Sequence, residues 1–187
     1  MSDLDELIVA SDWSDASPRA LRYSVVHARG IPHRAAHVEV WQGEQVLLWF
    51  RSDGKLELPG GHLRWLPGGP EPFDEAAARE LLEELGEPEA GVARHIAEVR
   101  AGLTLVTSCF NQSMAGMNNE WVCVYRVAAD QVPAATALGR SGVLSADGNR
   151  DARWWALADI REFADREPLA LASSLKLLLE RQRPRSR

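Results

Sequence analysis

The stretch Glu71-Pro72-Phe73-Asp74-Glu75-Ala76-Ala77-Ala78-Arg79-Glu80-Leu81-Leu82-Glu83-Glu84-Leu85-Gly86 decides how this 187-residue chain is read. It predicts a helix from about Phe73 to Leu85. Pro72 stands where a first-turn proline is tolerated, and Asp74 and Glu75 suit the positive end of the helix dipole. Gly86 followed by Pro88 stops the helix. Ala77, Ala78, Leu81 and Leu85 make one apolar face. Glu80, Glu83 and Glu84 stand at i, i+3 and i+4, so their carboxylates project together from another. Three like charges so close repel, and a divalent cation converts that repulsion into coordination. Magnesium prefers hard oxygen ligands and keeps several waters, which suits carboxylates opposite a phosphate-bearing substrate. Arg79 is placed to hold one carboxylate by paired hydrogen bonds. The competing reading is a solvated acidic helix face. Against it stand the Pro59-Gly60-Gly61 turn upstream, Glu71 eight residues before Arg79, and Gly86 two residues after Glu84.

Upstream of this helix, Leu7 to Ala10 reads as a short strand. His37 to Trp41 alternates at period 2, Gln42-Gly43 turns the chain, and Val46 to Phe50 is an apolar run of strand length. Lys55 to Leu58 reads as a third short strand ended by Pro59-Gly60-Gly61. Downstream, His95 to Cys109 and Trp121 to Ala128 read as strands, separated by a polar loop from Asn111 to Asn119. Asp130 to Arg150 reads as a surface loop and Arg153 to Ala156 as a last strand. Ala158 to Ala164 reads as a short helix, and Pro168 to about Gln182 as a terminal, leucine-rich helix. The pattern predicts a mixed α/β (α+β) sandwich, one domain over residues 1–187.

Composition bounds the function. With 45% hydrophobic and 26% charged residues, the chain has the makeup of a folded domain. It has no apolar run long enough to span a membrane, and its acidic start is the wrong sign for a signal peptide, so a cytoplasmic protein is expected. A net charge of −6 is the wrong balance for a nucleic-acid binder. The basic tail (Arg181, Arg183, Arg185, Arg187) reads as a solvated end. Cys109 and Cys123 read as buried thiols rather than a disulfide.

Glu71, seven intervening residues, then Arg79-Glu80-Leu81-Leu82-Glu83-Glu84-Leu85-Gly86 resemble the Nudix box. The resemblance implies the Nudix α/β/α sandwich with a mixed central sheet and magnesium-dependent hydrolysis of a diphosphate linked to a nucleoside, with manganese as an alternative ion. It assigns Glu80, Glu83 and Glu84 to the metal and Arg79 to orienting a carboxylate. The chain departs from the box twice. Glu87 stands where an aliphatic residue is expected. Gly61 lies ten residues before Glu71, so four residues are inserted, and Leu58-Pro59-Gly60-Gly61 is echoed by Leu66-Pro67-Gly68-Gly69. Either copy could make the turn.

The flanks (His27, Pro32-His33-Arg34-Ala35, Lys55, Gly61-His62 and Glu120-Trp121-Val122-Cys123) are similar to the isopentenyl-diphosphate isomerase branch of the superfamily. In that branch three histidines and two glutamates hold a metal, while a cysteine and a glutamate move protons. His27, His33, His62 and Glu120 match by position. Asn118 replaces one glutamate, and Gly60 stands in place of the cysteine. Without the cysteine, proton transfer to carbon lacks an acid–base partner, and hydrolysis is the favoured chemistry.

Glu84 or Glu120 is then the candidate base, with Arg51 or Arg64 beside the leaving phosphate. His27 and His95 read as structural or exposed. Trp65, in the inserted turn, either stacks on a base or covers the loop. Trp49, Trp154 and Trp155 read as core. The expected partner is a small nucleotide-like molecule, with no nucleic acid and no membrane; the terminal helix could also serve a homodimer. The alternatives are an isomerase-like protein or a non-catalytic nucleotide-sensing module.

Overall fold

In the computed structural model, residues 6–12, 14–112, 118–132, 135 and 150–182 are described. Strand β3 (His33–Gln42) is the axis of the fold. One edge of it meets β1 (Leu7–Ala10), β6 (Gly60–His62) and β4 (Gln45–Phe50) in turn, all antiparallel. Its other edge runs parallel to β10 (Asn119–Ala128) from His33↔Glu120 to Trp41↔Ala128. Outside these lie β2 (Arg19–Arg22) on β1, β5 (Leu56–Glu57) and β11 (Arg150–Ala156) on β4, and β9 (Thr104–Gln112) on β10. The sheet is therefore mixed.

Alternation along β3 sorts its side chains to two cores, as a sheet covered on both faces requires. Ala36, Val38 and Val40 join Leu47, Trp49 and the apolar faces of α2 (Phe73–Glu84) and α3 (Glu89–Gly102). Ala35 joins Val46, Leu48, Val122 and Val124 against α4 (Leu157–Arg166) and α5 (Ser173–Arg181). The result is the expected α/β/α sandwich.

Helix α2 begins and ends as its sequence predicts. Pro72 is extended (φ −64°, ψ 144°) at the N-cap, with Asp74 and Glu75 in the first turn. At the other end Gly86 takes φ +81°. There the Gly86 N–H donates to Glu83 O (2.9 Å) and the Glu87 N–H to Leu82 O (3.0 Å), a Schellman closure. Ala76, Ala77, Ala78, Leu81 and Leu82 are fully buried.

Three expectations are corrected. The strand read from His95 to Cys109 is helical up to Gly102, and β9 starts only at Thr104. Val92, Ile96 and Val99 recur at helical spacing and pack into the core below α2; their β-branching outweighed their period in the sequence reading. The terminal helix read from Pro168 is interrupted. Pro168–Ala170 form a single 3-10 turn, Leu171 bridges Leu56, and the Ala172 N–H donates to Leu56 O (2.9 Å) before α5 begins. Arg181 is no solvated tail residue. It pairs with buried Glu39, which also accepts from Arg126 Nη2 (2.7 Å) and Trp41 Nε1 (3.1 Å).

Residues 113–117 of the expected polar loop, most of 130–150, and 183–187 with Arg183, Arg185 and Arg187 lie outside the described residues. Trp49 is core, whereas Trp154 and Trp155 are only partly buried. Both cysteines are free and half-buried; burial raises the Cys123 thiol to about 11. No helix of the described residues is long and apolar enough to cross a membrane.

Candidate active site

Helix α2 brings its acidic face against β6, and Arg79 organises what lies between. All five guanidinium N–H groups find acceptors. Nε donates to Glu71 Oε1 (2.7 Å) and Nη2 to Glu71 Oε2 (2.8 Å), a bidentate pair. Nη2 also donates to the His62 carbonyl (3.0 Å). Nη1 donates to Glu80 Oε1 (2.6 Å) and Glu83 Oε2 (3.0 Å). Burial works against the charge on Arg79, but Glu71, Glu80 and Glu83 outweigh it and raise its pKa. Arg79 is therefore a fixed cation crossing four carboxylate–carbonyl acceptors.

The three helix carboxylates differ. Glu84 accepts the Gly60 N–H (2.8 Å). Glu83 receives a second fork from Arg64, at 2.9 and 3.2 Å, and Arg64 also pairs with Glu6. Glu80 lies against the backbone of Gly61, where a Cβ would stand 2.5 Å from Oε2. Burial pushes the Glu80 carboxyl up to about 7, with Arg79 pulling the other way. A buried carboxyl held near neutrality calls for more positive charge than Arg79 supplies. This donor set fits magnesium.

The duplicated turn is resolved. The Gly60-Gly61 copy faces Glu84 and Glu80, while Gly68 and Gly69 close a two-residue hairpin, β7 (Trp65–Leu66) with β8 (Gly69–Pro70), and have no neighbour within 4 Å of an added Cβ. Trp65 packs on the core beside α2, so it covers the loop.

A second donor set gathers around the ring of His62 on β6. His27 on α1 (Tyr23–Ala28), His33 on β3 and His62 on β6 bring their nitrogens within 4.8 Å of one another. The Nε2 atoms of all three are buried without a hydrogen-bond partner among the described residues. Glu120 Oε1 lies 3.7 Å from both His33 Nε2 and His62 Nε2, and Asn111 Nδ2 approaches its other oxygen (3.4 Å). Burial, then the neighbouring imidazoles, lowers His62 well below its usual pKa; burial and His33 bring His27 to about 4. Converging imidazoles beside one carboxylate fit a borderline ion of the zinc type. The sequence suggests a structural or exposed His27; the structure places it in this cluster. Its signal was positional only, since His27 comes from a short helix in a stretch read as irregular. His95 lies on α3, 3.8 Å from Glu98. Arg51 pairs with Asp53 and Glu57.

Position 60 is closed to a side chain. Gly60 has φ +151°, and a Cβ there would fall 2.3 Å from Ala36 O and 2.7 Å from His37 Cα, both backbone atoms. Only glycine fits.

An α/β/α sandwich whose central helix presents an arginine-crossed carboxylate set is the architecture of one superfamily, and the comparisons agree. The NUDIX domain model matches residues 31–176, and the chain belongs to the NUDIX family. Among solved structures it is similar to a MutT NUDIX hydrolase from Burkholderia pseudomallei, with 23% identity, a TM-score of 0.54, and 81% of this chain and 98% of that one covered. DR0079 from Deinococcus radiodurans gives 17% identity and a TM-score of 0.60 over 94% of this chain and 98% of that one. Likeness at these identities speaks to the fold. In sequence, 81 residues are 36% identical to the isopentenyl-diphosphate Delta-isomerase of Cereibacter sphaeroides, covering 40% of this chain and 44% of that enzyme. The chain thus spans less than half of that curated relative.

Proposed function

We propose that this NUDIX-family protein hydrolyses the diphosphate linkage of a nucleoside diphosphate derivative or nucleotide with magnesium held by Glu80, Glu83 and Glu84. The observation that carries this reading is the packing of Glu84 and Glu80 on Gly60-Gly61, with Arg79 locked on Glu71 and holding Glu80 and Glu83. Magnesium at this site would neutralise the diphosphate and make its phosphorus more electrophilic. The protein's part is to place the groups. Arg79 holds Glu80 and Glu83 at defined angles, and Gly61 leaves room beside Glu80. Glu84 takes the proton of the attacking water as the oxygen–phosphorus bond forms and the bridging bond breaks. Arg64, on the rim beside Glu83, is the cation nearest a leaving phosphate. Glu120, the other candidate base, keeps company with the histidines and suits a ligand role there.

The test is phosphate or nucleotide release from a panel of nucleoside di- and triphosphates, nucleotide sugars and ADP-ribose, with and without magnesium. Glu84→Gln keeps an oxygen to accept from Gly60, so the fold should survive while turnover falls about 10³-fold. Near-native turnover by that variant would sink the assignment.

The histidine cluster favours a second reading, isomerisation of an isopentenyl-type diphosphate. The backbone at Gly60 opposes it, since no cysteine side chain fits where that chemistry needs one. Conversion of isopentenyl diphosphate by the native chain, with silence on the nucleotide panel, would reverse the order.

A further inference from the structure

Strand β6 is three residues long, and each one serves the helix carboxylates. The Gly60 N–H donates to Glu84 (2.8 Å). Gly61 offers bare backbone to Glu80. The His62 carbonyl accepts from Arg79 (3.0 Å), the same guanidinium that holds Glu80 and Glu83. The ring of His62 points the other way, into the histidine cluster, with centroids 4.9 Å from His33 and 5.0 Å from His27. Pairing with Ala35, Ala36 and His37 ties the strand to β3 over its whole length. One residue thus belongs to both donor sets, through its ring in one and its carbonyl in the other.

We propose that His62 is a positioning residue for the hydrolytic site: an imidazole-seeking ion held by His27, His33 and His62 fixes the His62 carbonyl, and so the Arg79 plane and the carboxylates it orients, tightening magnesium binding on α2. The proposal rests on the assignment of magnesium to Glu80, Glu83 and Glu84. The sign follows from preorganisation. Arg79 spends every donor on a fixed acceptor, so anchoring the His62 carbonyl removes freedom from Glu80 and Glu83 before magnesium arrives and lowers the ordering cost of its binding. The bare field of a second cation acts the other way and weakens magnesium. Direction therefore separates positioning from charge. By linkage, magnesium must tighten the histidine ion by the same factor.

The experiment uses the full chain, stripped of metal by a chelator. Cobalt(II) absorption in the visible reports occupancy of the imidazole cluster, and titration calorimetry gives the magnesium Kd with and without one equivalent of zinc. Magnesium itself has little affinity for imidazole. We expect cobalt to give an imidazole-type spectrum and zinc to lower the magnesium Kd at least about fivefold, within the usual range of coupling between sites. In His33→Gln, which alters the cluster but leaves the residues of β6 unchanged, zinc should lose that effect; His27→Gln on α1 serves if His33→Gln does not fold. A folded native protein that takes up neither cobalt nor zinc overturns the proposal. So does an unmoved magnesium Kd, and so does a weakened one, which would leave charge repulsion alone. If zinc tightens magnesium but no diphosphate compound is hydrolysed, the hydrolase reading fails and the coupling stands.

Discussion

Two donor sets meet at one three-residue strand, and they are built on opposite principles. The set on α2 is anionic, crossed by a permanent cation and drawn from neighbouring turns of a single helix. The set around His27, His33 and His62 offers nitrogen donors, takes one carboxylate from Glu120, and is gathered from a short helix and three strands. The first suits a hard ion that keeps its waters; the second suits a softer ion held by nitrogen. The contrast teaches that ligand chemistry and chain locality vary together here. Carboxylates repel until something positive arrives, so Arg79 must be built in beside them. Imidazoles can wait uncharged in a dry pocket.

That contrast can be broken by mutation. Arg79→Ala leaves Glu71, 3% exposed, as an uncompensated buried charge. A loss of about 3–5 kcal/mol in denaturant unfolding is expected. His33→Ala takes one neighbour from Glu120, which keeps His62 and Asn111 beside it, and should lose only about 1–3 kcal/mol. Equal losses would mean that the arginine is not what holds the carboxylate side together.

Gly60→Cys sharpens the boundary between the two chemistries. The positive φ and the clash with the Ala36 carbonyl should destabilise the protein by about 1–3 kcal/mol and yield no isomerase activity. A variant as stable as the native chain that turns over isopentenyl diphosphate would reopen the second reading.

The smallest effect is on acid stability of the metal-free protein, where the two sets oppose each other. His27, at about 4, and His62, well below 6.5, stay neutral when folded but take protons when unfolded, so stability is lost as pH falls from about 6.5 toward 4. Glu80, raised to about 7, takes a proton in the folded state first, so its contribution grows as pH falls from 7 toward 4.5. Two histidines against one glutamate should leave a net loss of about 1 kcal/mol between pH 7 and 5, reduced because His27 is only partly buried and water screens it. Thermal unfolding in chelator should show it, with Glu80→Gln falling more steeply than native. A native midpoint that rises on acidification would mean Glu80 dominates.

What the sequence disclosed follows the same division. Glu80, Glu83 and Glu84 were legible because one helix sets their spacing, and Glu71 with Arg79 because both fall within the same short motif. Which Pro-Gly-Gly copy faces the helix was not, since both copies read alike and only contact with Glu80 and Glu84 separates them. The grouping of His27 with His33 and His62 came only from resemblance, because their meeting depends on three-dimensional pairing. Helix α3 was lost to the local β-preference of Val92, Ile96 and Val99, which tertiary packing overrode. Arg181 looked like tail charge until Glu39 was found buried beneath it.

The central strand carries a consequence for how the chain reaches this state. β3 pairs with β1, β4, β6 and β10, drawn from residues 7 to 128, and its longest partnership is the parallel one with β10. The middle of the sheet therefore closes only after the strand made last among these partners arrives. Until then β3 shows an open edge from His33 to Trp41, apolar along most of its length. Such long-range closure places refolding on the order of milliseconds to seconds, measurable by stopped-flow tryptophan fluorescence. On the ribosome the first hundred residues would hold an unpaired, sticky strand awaiting its mate, a natural client for a holding chaperone.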